Sequence, residues 1–258
     1  MKLIVTEKDS AARKIAEILG GKVAVKEHGR GRQKVRSYHF TYDGGDAVAV
    51  GLRGHVMETV FPNTYKRWSL KYLGDMIERP DLAWVVDGGA AGTLAALRAV
   101  AKGATELVIA TDYDREGELI GHEALEILRG DALKHNPGDK PEKKKRKAAA
   151  AKDGAGARAK APAPEPLNGD PHVKPMLPAA VVDRHIRVRY SALTPEEVKA
   201  AFAKPSTVDF NLAEAAHSRQ DIDLIWGAVL TRFMSLASYR YGSDYLSVGR
   251  VQSQSRRR

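Results

Sequence analysis

Short apolar blocks alternate with stretches of helical spacing through the first half of the chain. Lys2–Thr6 (KLIVT), rich in β-branched residues, reads as a buried strand. Asp9 or Ser10 can cap a following helix, with Ala12, Ile15, Ala16 and Leu19 on one face and Gly20 and Gly21 ending it. Residues 22–25, 37–42 and 46–52 read as strands, with Gly44 and Gly45 at the hairpin between the last two. Tyr65, Trp68 and Tyr72 sit among Lys66, Arg67 and Lys71, either as a partly buried cluster or as a surface for stacking bases. Residues 83–86 and 107–110 are further strands, each leading into a helix, over residues 93–101 and up to Gly130. Strands alternating with helices predict an α/β fold, mainly parallel with crossover helices.

The pattern dissolves over residues 133–182, where a basic run at 143–147 leads into Ala-, Gly- and Pro-rich sequence. Few large apolar residues mean no packed core, so this stretch is expected to be a disordered insertion. Residues 184–190 (RHIRVRY) alternate as a strand, with Ile186 and Val188 on one face. Thr194 followed by Pro195 is a strong helix start, and Pro205 ends that helix. A longer helical region runs over residues 211–239.

Composition adds boundaries. The 258 residues contain no cysteine, which excludes disulfides, zinc thiolates and a thiol nucleophile. No apolar run approaches the roughly 18 residues of a membrane helix, and no secretory leader pattern opens the chain. These features predict a soluble intracellular protein. The net charge of +10 is unevenly placed: residues 134–174 hold 11 Lys or Arg against 5 Asp or Glu, and Arg256, Arg257 and Arg258 add three more. The remainder is close to neutral, so net charge alone argues equally for a polyanion contact and for a solvated tether.

The chemistry concentrates after residues 107–110, where Asp112, Asp114, Glu116 and Glu118 fall within seven residues. Carboxylates crowded at the end of a buried strand repel one another, and a hard divalent cation would relieve that cost. A capped helix with a solvated acidic face is the plainer alternative. Glu7 and Lys8 occupy another strand-to-helix turn, either as a surface ion pair or as part of a site of the kind open α/β sheets build there. His55 follows the third strand and, by itself, reads as structural. The glycines after Asp87 lack the dinucleotide spacing.

Four segments together resemble the type IA DNA topoisomerases, most closely their topoisomerase III-like and archaeal members. IVTEKDSAARKIAEIL is similar to their first motif, and ATDYDREGELIG to the Asp-x-Asp-x-Glu motif of the Toprim fold. AHSRQDIDLIWGAVLTRF and LSVGRVQS resemble the opening of their DNA-binding domain. The first two mark Toprim proteins in general, including primases and nucleases; the last two point to the topoisomerases.

The resemblance implies a Rossmann-like Toprim domain, its main part at residues 1–132, completed across the insertion (133–182) by a strand and helix at 183–206. An incomplete, mostly α-helical domain follows at 207–258. It implies ATP-independent strand passage: a tyrosine cleaves one DNA strand through a 5′-phosphotyrosine link, and the 3′-hydroxyl reseals it. Glu7 would then be the general acid and base, and Lys8 would offset phosphate charge. Asp112, Asp114 and Glu116 would bind Mg²⁺, and His55, Arg219, Asp223, Arg250 and Gln252 would contact DNA or support the site. The implied partner is DNA through single-stranded segments, with RNA an open second substrate. No membrane is involved, and a monomer in the cytoplasm, associated with the nucleoid, is expected.

One departure stands out. The family's nucleophilic tyrosine lies beyond the GRVQ segment, before an Arg-Thr-Asp-Ser stretch, and none of Tyr38, Tyr42, Tyr65, Tyr72, Tyr113, Tyr190, Tyr239, Tyr241 and Tyr245 has that setting. The sequence is therefore expected to be a truncated or frameshifted amino-terminal portion, inactive alone. The alternatives are a free-standing Toprim nuclease or primase-like enzyme using Glu7 and the acidic residues with water or a nucleotide, and a non-enzymatic DNA-binding accessory protein.

Overall fold

A computed structural model describes residues 1–29, 31, 34–130 and 174–249. Its central sheet has the strand order β2-β3-β4-β1-β7-β8, where β1 is Lys2–Thr6, β2 Ala24–His28, β3 Val35–Tyr42, β4 Gly45–Gly51, β7 Glu106–Ile109 and β8 Ile186–Arg187. β1 pairs in parallel with β4 and β7, and β7 with β8. β2, β3 and β4 pair antiparallel, so the sheet is mixed but mostly parallel, as the alternating pattern predicted. Two short strands, β5 (Met57–Val60) and β6 (Ala83–Val86), lie outside it.

Burial on both faces explains the continuous apolar reading of β1. Leu3 and Val5 join Val48, Val50, Leu107 and Ile109 in one core, which also takes Leu97 and Val100 of α3 (Ala91–Ala101) and Ile127 and Leu128 of α4 (Arg115–Arg129). Ile4 and Val108 face the other way, onto Ala12, Ile15 and Ala16 of α1 (Asp9–Gly20) and Val198 of α6 (Pro195–Ala203). The expected cap of α1 by Asp9 or Ser10 is not formed: the helix starts after Lys8 with no side-chain cap, and the Asp9 carboxylate accepts the Tyr38 hydroxyl at 3.0 Å instead. Two other expected ends are built as the chemistry suggested. Gly130 closes α4 in the left-handed region at φ 78°, and the Thr194 hydroxyl accepts the Glu197 N–H at 3.3 Å to open α6.

Several expectations need correction. The first hairpin strand is Ala24–His28, not residues 22–25, because an edge strand with mostly exposed side chains carries no burial signal. The alternating stretch 184–190 forms only the two-residue β8, and its polar side is not solvated: Arg187 is fully buried. The folded chain also resumes before residue 183. Leu177 and Val182 are in the core and α5 (Ala179–Asp183) packs there, so residues 174–182 are not part of a disordered insertion. The rest of that insertion lies outside the described residues. The six-residue helix α2 (Leu73–Glu78) was too short to show a period.

The chain divides into two compact units. The larger is the α/β unit with the central sheet, and its described parts run over residues 1–59, 84–130 and 174–224. The smaller comprises residues 60–83 and 225–249 among those described. The long helix α7 (Phe210–Ala237) contributes to both. In the smaller unit Tyr65, Met76 and Val229 form a core with Phe61 and Tyr72 against it. The Arg232 guanidinium lies 5.8 Å from the Phe61 ring and 5.7 Å from Trp68. Tyr65 and Met76 are thus tied up in packing, which favours the partly buried cluster over an open stacking surface.

Among the described residues no helix is long and apolar enough to cross a membrane.

Candidate functional site

Two parallel strands, β1 and β7, end side by side and deliver the two sequence motifs to the same edge. The chain leaves β1 through Glu7 and Lys8. The Glu7 carbonyl accepts from Gly54 N–H at 3.1 Å and the Thr6 carbonyl from Leu52 at 2.9 Å, which fastens the turn to the end of β4. Gly51 permits this approach: a Cβ there would stand 2.5 Å from the Asp9 nitrogen. Lys8 Nζ then bridges two carboxylates, 3.0 Å from Glu7 Oε1 and 2.7 Å from Asp112 Oδ2. Hydrogen bonding to Asp112, and next to Glu7, holds the Lys8 ammonium above its ordinary pKa. The Glu7 side chain is 14% exposed, whereas Lys8 is 56% exposed, so the pair opens to solvent on the lysine side.

The acidic loop is shaped by its own backbone. Asp114 caps α4, its Oδ1 accepting Gly117 N–H at 2.7 Å. A Cβ at Gly117 would come 2.0 Å from the Asp112 carbonyl oxygen, so only glycine lets the loop fold back on the helix start. Beneath the loop, Arg187 Nε donates to Glu118 Oε1 at 3.0 Å, both side chains having no exposure. Its Nη1 donates to the Thr111 carbonyl at 2.8 Å and its Nη2 to the Asp112 carbonyl at 2.9 Å. Burial lowers the Arg187 pKa, against the pull of Glu118, yet a guanidinium starts so high that it stays charged. Glu118 Oε2 also accepts the Asp209 N–H at 3.1 Å, just before α7. Glu118 is therefore a structural member of the acidic run, facing inward.

His55 stands between carboxylates of α4. Its Nδ1 is 2.7 Å from Glu123 Oε1, and its Nε2 is 3.5 Å from Glu116 Oε2. Hydrogen bonding to Glu123 raises the His55 pKa above its usual value, burial opposing it. Gln220 Nε2 on α7 lies 3.2 Å from His55 Nε2 and 3.4 Å from Glu116 Oε2. A pocket of about 340 Å³, lined in part by His55, Gln220, Glu58 and Asp87, opens beside this group.

The structure thus brings Glu7, Lys8 and Asp112 into direct contact, and His55 against Glu116. Asp114 is exposed at its cap. Arg219 is exposed on α7, and Asp223 lies partly buried on the same helix. Arg250 and Gln252 lie outside the described residues. Sequence reasoning missed Arg187, Glu123 and Gln220. Only Glu123 carried a signal, a carboxylate at helical spacing from the buried Leu119, Ile120 and Ile127 of α4.

Among the described residues no three His, Asp or Glu side chains stand close enough together to hold a metal ion. The donors nevertheless suit magnesium. Asp112, Asp114 and Glu116 all offer carboxylate oxygens, and a cation at Asp112 would take the place of the Lys8 ammonium, 2.7 Å from its Oδ2. Mg²⁺ is commonly held by one or two carboxylates, with water and phosphate completing its shell. Tyr190, buried near the loop, is not a free phenol: its hydroxyl donates to the Ala110 carbonyl at 2.7 Å and burial pushes its pKa up.

Residues 2–145 match the Toprim domain model. DNA topoisomerase 1 of Archaeoglobus fulgidus is 41% identical over 97% of this chain, which corresponds to 29% of that protein. DNA topoisomerase 1 of Thermoplasma acidophilum is 34% identical, covering 98% of the chain and 26% of the relative. DNA topoisomerase 3 of Schizosaccharomyces pombe is 25% identical over 91% of the chain and 30% of its own length. The chain therefore spans less than a third of the length of these relatives. With β1 and β7 delivering Glu7 and the acidic motif to one sheet edge, and the family model covering both, the chain belongs to the Toprim domain family.

Proposed function

We propose that this chain is the metal- and DNA-binding part of a type IA DNA topoisomerase. The observation that carries the reading is the meeting of Glu7, Lys8 and Asp112 across two strand ends, with one ammonium bridging two carboxylates. Similarity to DNA topoisomerases over 97% of the chain supports it. Asp112, Asp114 and Glu116 would hold Mg²⁺, which would set positive charge opposite a DNA phosphate. As a tyrosine of the complete enzyme attacks the phosphate and forms the phosphotyrosine link, Glu7 would give a proton to the departing 3′-oxygen and take it back on resealing. Lys8 is exposed enough to turn from Asp112 to a phosphate oxygen, where its charge favours the crowded transition state. Arg219, exposed on α7, is assigned to the backbone of single-stranded DNA.

The test is a chimera in which this chain replaces the matching segment of the Archaeoglobus relative. Mg²⁺-dependent relaxation of negatively supercoiled DNA is expected, with loss on Glu7→Gln and on Asp112→Asn. A chimera that folds but does not relax DNA would sink the reading. Mg²⁺-dependent strand hydrolysis by the unfused chain, abolished by Glu7→Ala, would replace it with a nuclease.

A further inference from the structure

Three side chains, Glu123, His55 and Gln220, connect the interior of the α/β unit to Glu116. Glu123 has no exposed surface, and a buried carboxylate persists only where its oxygens find donors. Oε2 accepts the backbone N–H of Val56 at 2.7 Å and of Met57 at 3.2 Å. Oε1 is left to accept from His55 Nδ1 at 2.7 Å. This fixes the imidazole with its second nitrogen, Nε2, turned outward to Gln220 and Glu116.

The hydrogen-bond polarity closes in one way for a neutral ring. Nδ1–H donates to Glu123, Nε2 accepts one amide hydrogen of Gln220, and the other amide hydrogen points at Glu116 Oε2, 3.4 Å from the nitrogen. For an imidazolium, Nε2–H faces Glu116 Oε2 directly, at 3.5 Å. Glu116 is offered a donor in both states. Anchoring residues 56 and 57 would explain Glu123 alone, but not why Gln220 reaches both His55 and Glu116.

We propose that Glu123 and Gln220 are positioning residues for Glu116, Glu123 acting through His55 and Gln220 directly. The inference rests on the metal reading of Glu116. A ligand carboxylate held from behind keeps one oxygen free and aimed, and the loss of such an outer partner weakens metal binding by about 10- to 100-fold. Gln220 follows Arg219 on α7, so the helix assigned to DNA would also steady the acidic loop.

The test uses the full chain with Mn²⁺ as the probe, free ion being followed by its paramagnetic resonance signal. Gln220→Met keeps the side-chain length and removes the donor. Its Mn²⁺ dissociation constant is expected to rise about tenfold, with an unchanged melting temperature. The ¹⁵N resonance of His55 Nε2, assigned with His55→Gln, should move toward that of an unbonded ring nitrogen, while Nδ1 stays in place. If Gln220→Met does not fold, Gln220→Ala gives the same two readouts. Glu116→Gln separates the possible failures. Weaker Mn²⁺ binding in Glu116→Gln alongside wild-type binding in the Gln220 variants overturns the positioning role alone. Unchanged binding in Glu116→Gln overturns the metal reading, and the inference with it.

Discussion

Arg187 and Glu118 decide the geometry of the acidic loop, yet neither would touch a substrate. Their side chains meet across 69 residues of sequence, fully buried, and the guanidinium also holds the Thr111 and Asp112 carbonyls. Replacing Arg187 with Met removes the buried partner of Glu118 and leaves it only the partly exposed Arg189, 3.8 Å away, as a cation. Such a break costs about 3–5 kcal/mol, a large part of the roughly 5–15 kcal/mol that holds a domain together. The double variant Arg187→Met with Glu118→Leu should recover most of that loss, since apolar pairs often replace buried ion pairs without cost. It should not recover Mn²⁺ binding, because the two loop carbonyls still lack their donor. Urea unfolding and Mn²⁺ titration on the three proteins measure this; wild-type metal affinity in the double variant would show that the loop holds itself. Here the sequence was only half legible. Glu7, Lys8 and Asp112 announced themselves at strand ends, but Arg187 sat in an alternating stretch whose polar positions point to water in an ordinary strand. The partner that inverts this lies far along the chain, where no local pattern reaches.

The strands show a similar division. β1, β4 and β7 are buried on both faces, so their apolar runs were readable within a residue or two. β2 is exposed along nearly its whole length and owes its place to pairing with β3 rather than to any apolar face. What fastens it includes a chain of three polar groups: Ser37 Oγ lies 2.7 Å from His28 Nε2 and 2.9 Å from His39 Nε2. One hydroxyl can donate to only one ring, so the other must donate to it, and the arrangement wants at least one neutral imidazole. Partial burial, then repulsion from Lys26, lowers the pKa of both histidines below 6.5. As pH falls through the ordinary histidine range the unfolded chain takes up protons that the folded chain refuses. Stability is therefore expected to be full above about pH 7 and to decline toward pH 5. Urea midpoints at pH 7.5 and 5.5 check this, with His28→Gln combined with His39→Gln as the control. The pH difference should shrink in the double variant; an equal difference would assign the acid sensitivity to other groups.

Charge is distributed across the molecule so that the folded α/β unit need not be the part that holds DNA non-specifically. Residues 134–174 and the last three arginines carry nine of the ten net positive charges, and residues 143–147 alone supply five. Contacts between cations and single-stranded DNA release counterions, giving a slope of about −0.7 in log affinity against log salt for each phosphate neutralised. If residues 143–147 meet the backbone, changing all five to Ala should make the slope shallower by up to roughly 3–4, while Mn²⁺ binding at the acidic loop stays the same. Arg219→Ala, removing one exposed charge on α7, should lower affinity and change the slope by about 0.7 or less. Fluorescence anisotropy of a labelled oligonucleotide across a salt series reads both. An unchanged slope in the five-alanine variant would make the run a solvated tether. Affinity would then come from the remaining cations, Arg256, Arg257 and Arg258 among them, and from α7 and the acidic edge, where Mg²⁺ would supply part of the attraction. Omitting Mg²⁺ should then weaken binding by the five-alanine variant, whereas a chain that binds through residues 143–147 should hold DNA about as well without the metal.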